Sequence, residues 1–227
     1  MNRTGTGRRA TMMLLRPPGV YHAQGDTGLL VAALRRERVP AGASCLDLGT
    51  GSGAVALAAA DLGAEVTAVD VSRLALATAW LNARLHRRTL HLRRGDLTAP
   101  VAGQRFDLIV SNPPYVPAEA PVAPRRGPAR AWDAGPNGRC LLDRIGRQAP
   151  RLLAPHGVLL IVQSSLADPA ATVAALRRAG LRTSVAARRA QEFGPVMSGR
   201  AAWFEQQGLI PPGVREEELV VVRGVRD

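Results

Sequence analysis

Residues 44–53 read Ser44-Cys45-Leu46-Asp47-Leu48-Gly49-Thr50-Gly51-Ser52-Gly53. A short apolar run is interrupted by three alternating glycines, and an Ala-rich segment continues to Ala60. This order predicts a buried strand, a tight glycine turn and a helix, because glycine lets the backbone turn sharply and approach a ligand closely. The unit is typical of α/β sheets that bind a ligand at the N-terminus of a helix.

Strand-like and helical segments alternate along the rest of the chain. Further strands are predicted at 64–69, 90–92, 106–110, 158–162, 181–187 and 218–222, and helices at 29–34, 72–85, 138–153 and 170–179. The alternation predicts a doubly wound, mostly parallel α/β sheet. A small helix at about 194–208 separates the last two strands, which therefore predict an antiparallel hairpin at the C-terminal end.

A chain of 227 residues is long enough for one α/β domain. We expect a flexible N-terminus over residues 1–18 and a single domain over 19–227, with the small helix as an insertion. Neither Cys45 nor Cys140 lies at metal-ligand or disulfide spacing, so we expect no metal site and a reduced, cytoplasmic protein. No run approaches the roughly eighteen apolar residues that span a bilayer, so we expect no membrane contact.

The net charge of +12 raises the question of an anionic partner. Such a charge often indicates nucleic-acid binding. Here every basic residue is Arg, and the arginines occur in scattered pairs instead of one block, as in proteins from GC-rich genomes. We therefore interpret the charge as solvated surface and keep nucleic acid as the alternative partner.

Carboxylates close the first three predicted strands. Asp47 precedes the glycines, Asp70 ends the second strand, and Asp96 follows the third. An acid at the end of the second strand is placed to accept hydrogen bonds from ribose hydroxyls.

Two cofactors fit a glycine turn with an acid at this distance. Gly49-x-Gly51-x-x-Ala54 also matches the pattern of dinucleotide sites. Acids at three strand ends would repel a pyrophosphate, whereas S-adenosylmethionine carries a sulfonium and an ammonium group. The carboxylates therefore favour S-adenosylmethionine, with a dinucleotide as the alternative.

A second motif reads Ile109-Val110-Ser111-Asn112-Pro113-Pro114-Tyr115. The two prolines end the fourth strand, so Asn112 lies at the sheet edge where ligands bind in open α/β folds. The Asn112 amide oxygen and the Pro113 carbonyl are two acceptors beside the ring of Tyr115. Together they suit a planar NH2 group, although an Asn-capped turn that only ends the strand also fits the pattern.

These motifs together resemble the class I S-adenosylmethionine-dependent methyltransferases that act on planar nitrogen. The chain is similar in particular to the HemK-like release-factor glutamine methyltransferases, in a short form without an N-terminal helical domain. The similarity also includes Val20-Tyr21, Asp26-Thr27 and the stretch 131–139. It departs at Gly25, where an acidic residue is usual, and after Glu192.

The resemblance implies a seven-stranded Rossmann-like sheet, S-adenosylmethionine as cofactor, and a role for each matching residue. Asp70 would bind ribose, Asp96 the adenine amino group, and Asp47 the methionine moiety. The implied cofactor-binding set is Tyr21, Asp26, Thr27, Asp47, Gly49, Thr50, Gly51, Gly53, Asp70, Val71, Asp96, Leu97 and Asn112. The first three of these would close over the cofactor, although Asp26 also fits an ordinary helix N-cap.

The implied catalytic residues are Asn112, Pro113 and Tyr115, which would hold the target nitrogen. The implied acceptor is the glutamine of a Gly-Gly-Gln sequence, so the expected partner is a peptide-chain release factor. Two alternatives stay open: an amino methyltransferase acting on nucleic acid or a small metabolite, and a non-catalytic binding module that keeps the fold.

Overall fold

Seven strands form one sheet in the part of the chain that the structure describes. The computed structural model describes residues 13–21, 24–122, 124 and 127–227. The strands are β1 (Ser44–Leu48), β2 (Glu65–Asp70), β3 (His91–Arg94), β4 (Phe106–Ser111), β5 (Leu153–Ser164), β6 (Leu181–Glu192) and β7 (Glu216–Arg226). The α-helices are α1 (Gly25–Leu34), α2 (Ala54–Asp61), α3 (Arg73–Leu85), α4 (Cys140–Gln148), α5 (Pro169–Arg178) and α6 (Pro195–Gln206).

The strand order is β3-β2-β1-β4-β5-β7-β6. The first five strands in this order are parallel, and β7 runs antiparallel to both β5 and β6. The predicted doubly wound sheet with a terminal antiparallel hairpin is thereby confirmed. The order reverses between β1 and β4, and Leu48 lies opposite Ser111. The glycine turn and Asn112 therefore leave the sheet side by side, at the switch point where such folds bind ligands.

The core lies along the central strands. Leu46, Ile109, Leu160 and Val221 are fully buried, one in each of β1, β4, β5 and β7. Helices cover these strands, so their sequences read as continuous apolar runs. Among the described residues, no helix has the length and apolar character needed to cross a bilayer.

Several predicted boundaries were wrong. The helix predicted at 138–153 ends at Gln148, because Pro150 cannot continue it, and a 3-10 turn over Ala149–Leu152 follows. Strand β5 therefore begins at Leu153 instead of residue 158. Strands β6 and β7 extend beyond their apolar segments, because their backbones pair as far as Glu192 and Glu216.

The N-terminal segment reaches the glycine turn through one side chain. Residues 1–12, part of the predicted flexible N-terminus, lie outside the described residues. Asn82 of α3 accepts the Leu15 N–H at 2.7 Å and donates to the Leu15 carbonyl at 3.2 Å and the Ser52 carbonyl at 2.9 Å. The chain before α1 is thus bound to the helix that flanks the glycine turn.

Candidate active site

A cavity of about 840 Å³ opens at the carboxyl ends of the parallel strands. Most of the predicted site residues line it, namely Tyr21, Thr27, Asp47, Gly49, Thr50, Gly51, Asp70, Val71, Asp96, Leu97 and Asn112. Four predicted residues lie outside this lining: Asp26, Gly53, Pro113 and Tyr115. The structure therefore brings the two motifs together around one space, with these four residues behind its wall.

The three glycines of the turn have different surroundings. Gly49 and Gly51 adopt φ values of 76° and 54°, and a Cβ at either position would meet no atom within 4 Å. Glycine is required at these two positions because the backbone has positive φ there. The missing side chains also leave the backbone open to a ligand in the cavity. Gly53 has φ 85°, and a Cβ there would lie 3.1 Å from that of Ala79 in α3. The structure thus places Gly53 in a helix contact.

Asp70 joins the end of β2 to the glycine turn. Its two oxygens accept the Gly51 N–H at 3.0 Å and the Ser72 N–H at 2.8 Å. Burial raises the pKa of the Asp70 carboxyl, and these two N–H donors partly offset the rise. The Val71 N–H also interacts with this carboxylate, which has about four acceptor sites and therefore keeps capacity to accept a ligand hydroxyl.

Asp47 is the most buried acid of the cavity, at 1% exposure. The Thr50 hydroxyl donates to it at 2.7 Å. The pKa of Asp47 is raised to about 7: burial is the largest cause, hydrogen bonds from the Thr50 hydroxyl and the Ala56 N–H lower it, and the charge of Asp70 raises it. Two carboxyl groups that are costly to ionise side by side favour a ligand that brings positive charge between them.

The adenine side of the predicted site includes an ion pair that the sequence did not reveal. Asp96 is exposed and lies 2.6 Å from Arg144 of α4. Leu97 is buried with φ 49°, and Val71 presents an exposed apolar surface to the same space. Arg144 and Arg147 line the cavity, and no local signal marked them, because they lie one helix and one strand further along the chain.

Asn112 stands at the end of β4 with its amide held in one orientation. Its Nδ2 donates to Thr27 Oγ1 at 3.1 Å. Within the described part of the chain, neither Asn112 Oδ1 nor the Pro113 carbonyl takes part in a hydrogen bond. Asn112 lines the cavity, so its Oδ1 is available to a ligand NH2 group, and the carbonyl of the adjacent Pro113 is a second acceptor without a partner.

The ring of Tyr115 is buried beneath this edge. Its hydroxyl donates to Asp26 Oδ2 at 2.9 Å, and the Tyr21 hydroxyl donates to the same oxygen at 2.6 Å. Helix α1 begins at Gly25 with Gln24 at its N-cap, so Asp26 lies in the first turn and does not cap the helix. The expectation of an N-cap role for Asp26 was wrong, since its carboxylate binds the two tyrosines.

The loop that follows the Asn-Pro-Pro-Tyr motif is fixed by backbone pairing and by α6. Val116 and Ala118 exchange hydrogen bonds with the backbone of residues 132–135. Arg200 of α6 donates to Asp133 at 2.6 Å and to the Pro117 carbonyl at 3.0 Å. Between these two anchored ends, the loop contributes residues such as Pro128 to the cavity wall. The inserted helix thus supports the site, a role that its sequence did not indicate.

Comparison with known proteins identifies the family. Residues 11–123 match the family model described as the methyltransferase small domain. A putative protein N5-glutamine methyltransferase of Methanocaldococcus jannaschii is 32% identical over 181 residues, covering 79% of this chain and 90% of that protein. The chain belongs to the HemK-like class I methyltransferases.

Other relatives of this HemK-like methyltransferase are longer. The release factor glutamine methyltransferase of Geobacter sulfurreducens is 39% identical over 151 residues, which cover 63% of this chain and 53% of that protein. The chain thus spans about half the length of this relative.

The solved structure of the E. cuniculi Mtq2-Trm112 complex, responsible for methylation of the termination factor eRF1, has a TM-score of 0.62 at 23% identity. It covers 92% of this chain and 99% of the matched one.

The cofactor of this HemK-like methyltransferase is S-adenosylmethionine. The residues of the cavity fit it. Asp70 keeps free lone pairs for ribose hydroxyls, the open glycine turn admits close backbone contact, and the buried acids Asp47 and Asp70 suit a cationic ligand. Among the described residues, no group of three His, Cys, Asp or Glu side chains could hold a metal ion.

Proposed function

We propose that this protein methylates the side-chain amide nitrogen of a glutamine in a protein, and that the acceptor is the Gly-Gly-Gln sequence of a peptide-chain release factor. One observation carries the proposal: Asn112 lines the cofactor cavity, and its Oδ1 and the carbonyl of the next residue, Pro113, accept no hydrogen bond from the described residues. A primary amide offers two hydrogens in one plane, as such a pair requires. A release factor acts in the cytoplasm, where we place this enzyme.

The residues of the site act by positioning. Asn112 Oδ1 and the Pro113 carbonyl accept the two hydrogens of the glutamine NH2 group and turn its nitrogen towards the cavity. When bound, S-adenosylmethionine would supply a methyl group on a sulfonium, whose leaving group is a neutral thioether that needs no general acid. The amide nitrogen that gains the methyl group loses one of its two protons to water. Alignment of the reacting groups in this way can lower the activation free energy by about 7 to 11 kcal/mol. The buried acids and the glycine turn hold the cofactor side, so the two halves of the site have separate tasks.

The names of the relatives support a protein acceptor, and the geometry explains why glutamine suits it. The Asn-Pro-Pro-Tyr edge would also accept the amino group of adenine, because that group is likewise planar. The arginines that line the cavity are no specific argument for a nucleic-acid acceptor, since Arg144 is already paired with Asp96.

The test is to incubate the protein with methyl-labelled S-adenosylmethionine and a release factor and to locate the label by mass spectrometry. We expect the label on the glutamine of Gly-Gly-Gln, and none on a control factor with that glutamine replaced by glutamate. Label on RNA or on a small metabolite in a cell extract, with none on the factor, would establish the amino methyltransferase alternative. Failure to bind S-adenosylmethionine by calorimetry would instead favour a non-catalytic module.

A further inference from the structure

Four hydrogen-bond donors converge on the Asp26 carboxylate, which is 2% exposed. Its Oδ2 accepts from the hydroxyls of Tyr21 and Tyr115, and its Oδ1 accepts from the Thr27 N–H at 2.5 Å and the Thr27 hydroxyl at 3.3 Å. Burial and the charge of Asp26 raise the pKa of both tyrosines, so both keep the protons that they donate. A carboxylate can only accept, and each of its neighbours must therefore donate to it.

This arrangement fixes the role of the Thr27 hydroxyl. A hydroxyl has a single proton, and that of Thr27 is directed at Asp26. Towards its other neighbour, Thr27 Oγ1 can only accept. That neighbour is Asn112, whose side-chain amide lies 3.1 Å away.

The orientation of the Asn112 amide follows from this. Its NH2 end must face Thr27, since the oxygen end would meet a hydroxyl oxygen with no proton to share. Asn112 Oδ1 is then turned away from Thr27 and left as an acceptor. Without Thr27, nothing else among the described residues hydrogen-bonds this amide, so either orientation would be open to it.

We propose that Thr27 is a positioning residue for methyl transfer: anchored by Asp26, it holds the Asn112 amide with Oδ1 presented to the acceptor nitrogen. The inference rests on the proposed function and assigns Thr27 a task beyond lining the cavity. The Asn112 amide donates to the Thr27 hydroxyl, which donates to the Asp26 carboxylate. Because the carboxylate can only accept, it determines which group donates at each step.

Thr27→Val tests the proposal because it removes the hydroxyl and nearly keeps the shape. We expect the single-turnover rate of methyl transfer to a release factor to fall about ten- to a hundredfold, the range associated with a misplaced reacting group. The Kd for S-adenosylmethionine should stay within about twofold, since valine is branched at Cβ like threonine and keeps the shape of the cavity wall. Thr27→Ser should restore most of the rate. Thr78→Val is the matched control, because Thr78 is also buried and, within the described part of the chain, its hydroxyl bonds only the Leu74 carbonyl of its own helix.

A double-mutant cycle distinguishes positioning from a general effect on the fold. If Thr27 acts through Asn112, Thr27→Val should cause no further loss in an Asn112→Ala background. Independent losses that multiply would overturn the proposal, as would an equal loss in Thr78→Val. The proposed function fails separately, if the wild-type protein transfers no methyl group to the factor.

A second readout does not need catalysis. In wild-type protein the side-chain NH2 of Asn112, identified by the nitrogen resonance that Asn112→Ala removes, should be protected from hydrogen exchange. Protection should be lost in Thr27→Val and kept in Thr27→Ser. Equal protection in all three would show that Thr27 does not hold the amide and would overturn the inference.

Discussion

Arg200 in the inserted helix α6 forms an ion pair with Asp133 in the loop after the Asn-Pro-Pro-Tyr motif, at 2.6 Å. Asp133 is 8% exposed, and the same guanidinium also donates to the Pro117 carbonyl. Arg200 thus connects the helix inserted in the C-terminal hairpin to both ends of the loop that borders the cavity. The insertion is part of the active-site architecture.

We predict that Arg200→Ala destabilises the protein by about 1.5 to 3 kcal/mol, because a mostly buried carboxylate loses its charged partner. Urea unfolding of the variant measures this free energy. Arg188→Ala is the control, since its ion pair with Glu218 is solvent-exposed and should contribute no more than about 0.5 kcal/mol. Similar losses in both variants would contradict the structural role of Arg200.

Asp70→Ala should weaken the binding of S-adenosylmethionine. The variant loses a charged acceptor for the ribose hydroxyls and also the link between β2 and Gly51. Hydrogen bonds to charged groups contribute about 1.5 to 3 kcal/mol, so the Kd should rise about ten- to a hundredfold. Calorimetry should show no such change in Asp61→Ala, whose partner Arg88 lies at the surface. Unchanged affinity in Asp70→Ala would mean that ribose binds elsewhere.

The raised pKa of Asp47 predicts two effects of pH. Because that pKa is about 7 in the folded protein and 3.8 normally, the folded state binds more protons than the unfolded state between about pH 4 and pH 7. The contribution of Asp47 to the free energy of unfolding should therefore decrease as pH rises through this window and level off above it. Denaturation of wild type and Asp47→Asn at several pH values measures the difference.

The second effect concerns the cofactor. A cationic ligand favours ionised Asp47, so affinity for S-adenosylmethionine should increase as pH rises towards about 7, and binding below that pH should release a proton. Calorimetry in two buffers of different ionisation enthalpy detects the proton. Asp47→Asn should bind more weakly and without this dependence. A pH dependence that persists in Asp47→Asn would assign it to another group.

Asn112→Ala separates catalysis from cofactor binding. It removes one acceptor for the target NH2 group, and the loss of one well-placed polar contact in a transition state costs about a hundred- to a thousandfold in rate. Cofactor affinity should remain close to wild type, because the carboxylates and glycines are untouched. Single-turnover rates beside calorimetric Kd values test both statements. Near-normal turnover would place the chemistry elsewhere, and an equal loss of binding would make Asn112 a structural residue.

Asn112→Asp tests the hydrogen bond between Asn112 and Thr27. An aspartate at position 112 would keep an oxygen that can accept a hydrogen bond from the target NH2 group. It would also place a second carboxylate against the Thr27 hydroxyl, whose single proton already serves Asp26. We therefore expect Asn112→Asp to lose much of the activity, and less so when Thr27 is also replaced by valine.

Local signals made most of the fold predictable. Apolar runs and glycine turns identified the strands and their alternation with helices, because strand ends, proline and glycine act through neighbouring residues. One error overlooked a local signal, since Pro150 prevents α4 from continuing to residue 153. Others arose where local signals were weak: β6 and β7 continue through polar residues, since their pairing satisfies the backbone whatever the side chains. The glycines and acids at the strand ends were predicted as cofactor residues for the same local reason, whereas Tyr21, Asp26 and Thr27 lie before α1 or in its first turn and were implied only by the family resemblance.

The sequence by itself determined the strand–glycine–helix unit, the acids at the strand ends and the stiff edge at Asn112, because each depends on residues adjacent in the chain. Only the tertiary structure decided which side chains those residues meet. Thr27 reaches Asn112 across 85 positions, Arg200 reaches Asp133 across 67, and Arg144 reaches Asp96 across 48. These pairs form because the sheet order brings distant strand ends to one edge, and no periodicity or motif in the chain records that proximity.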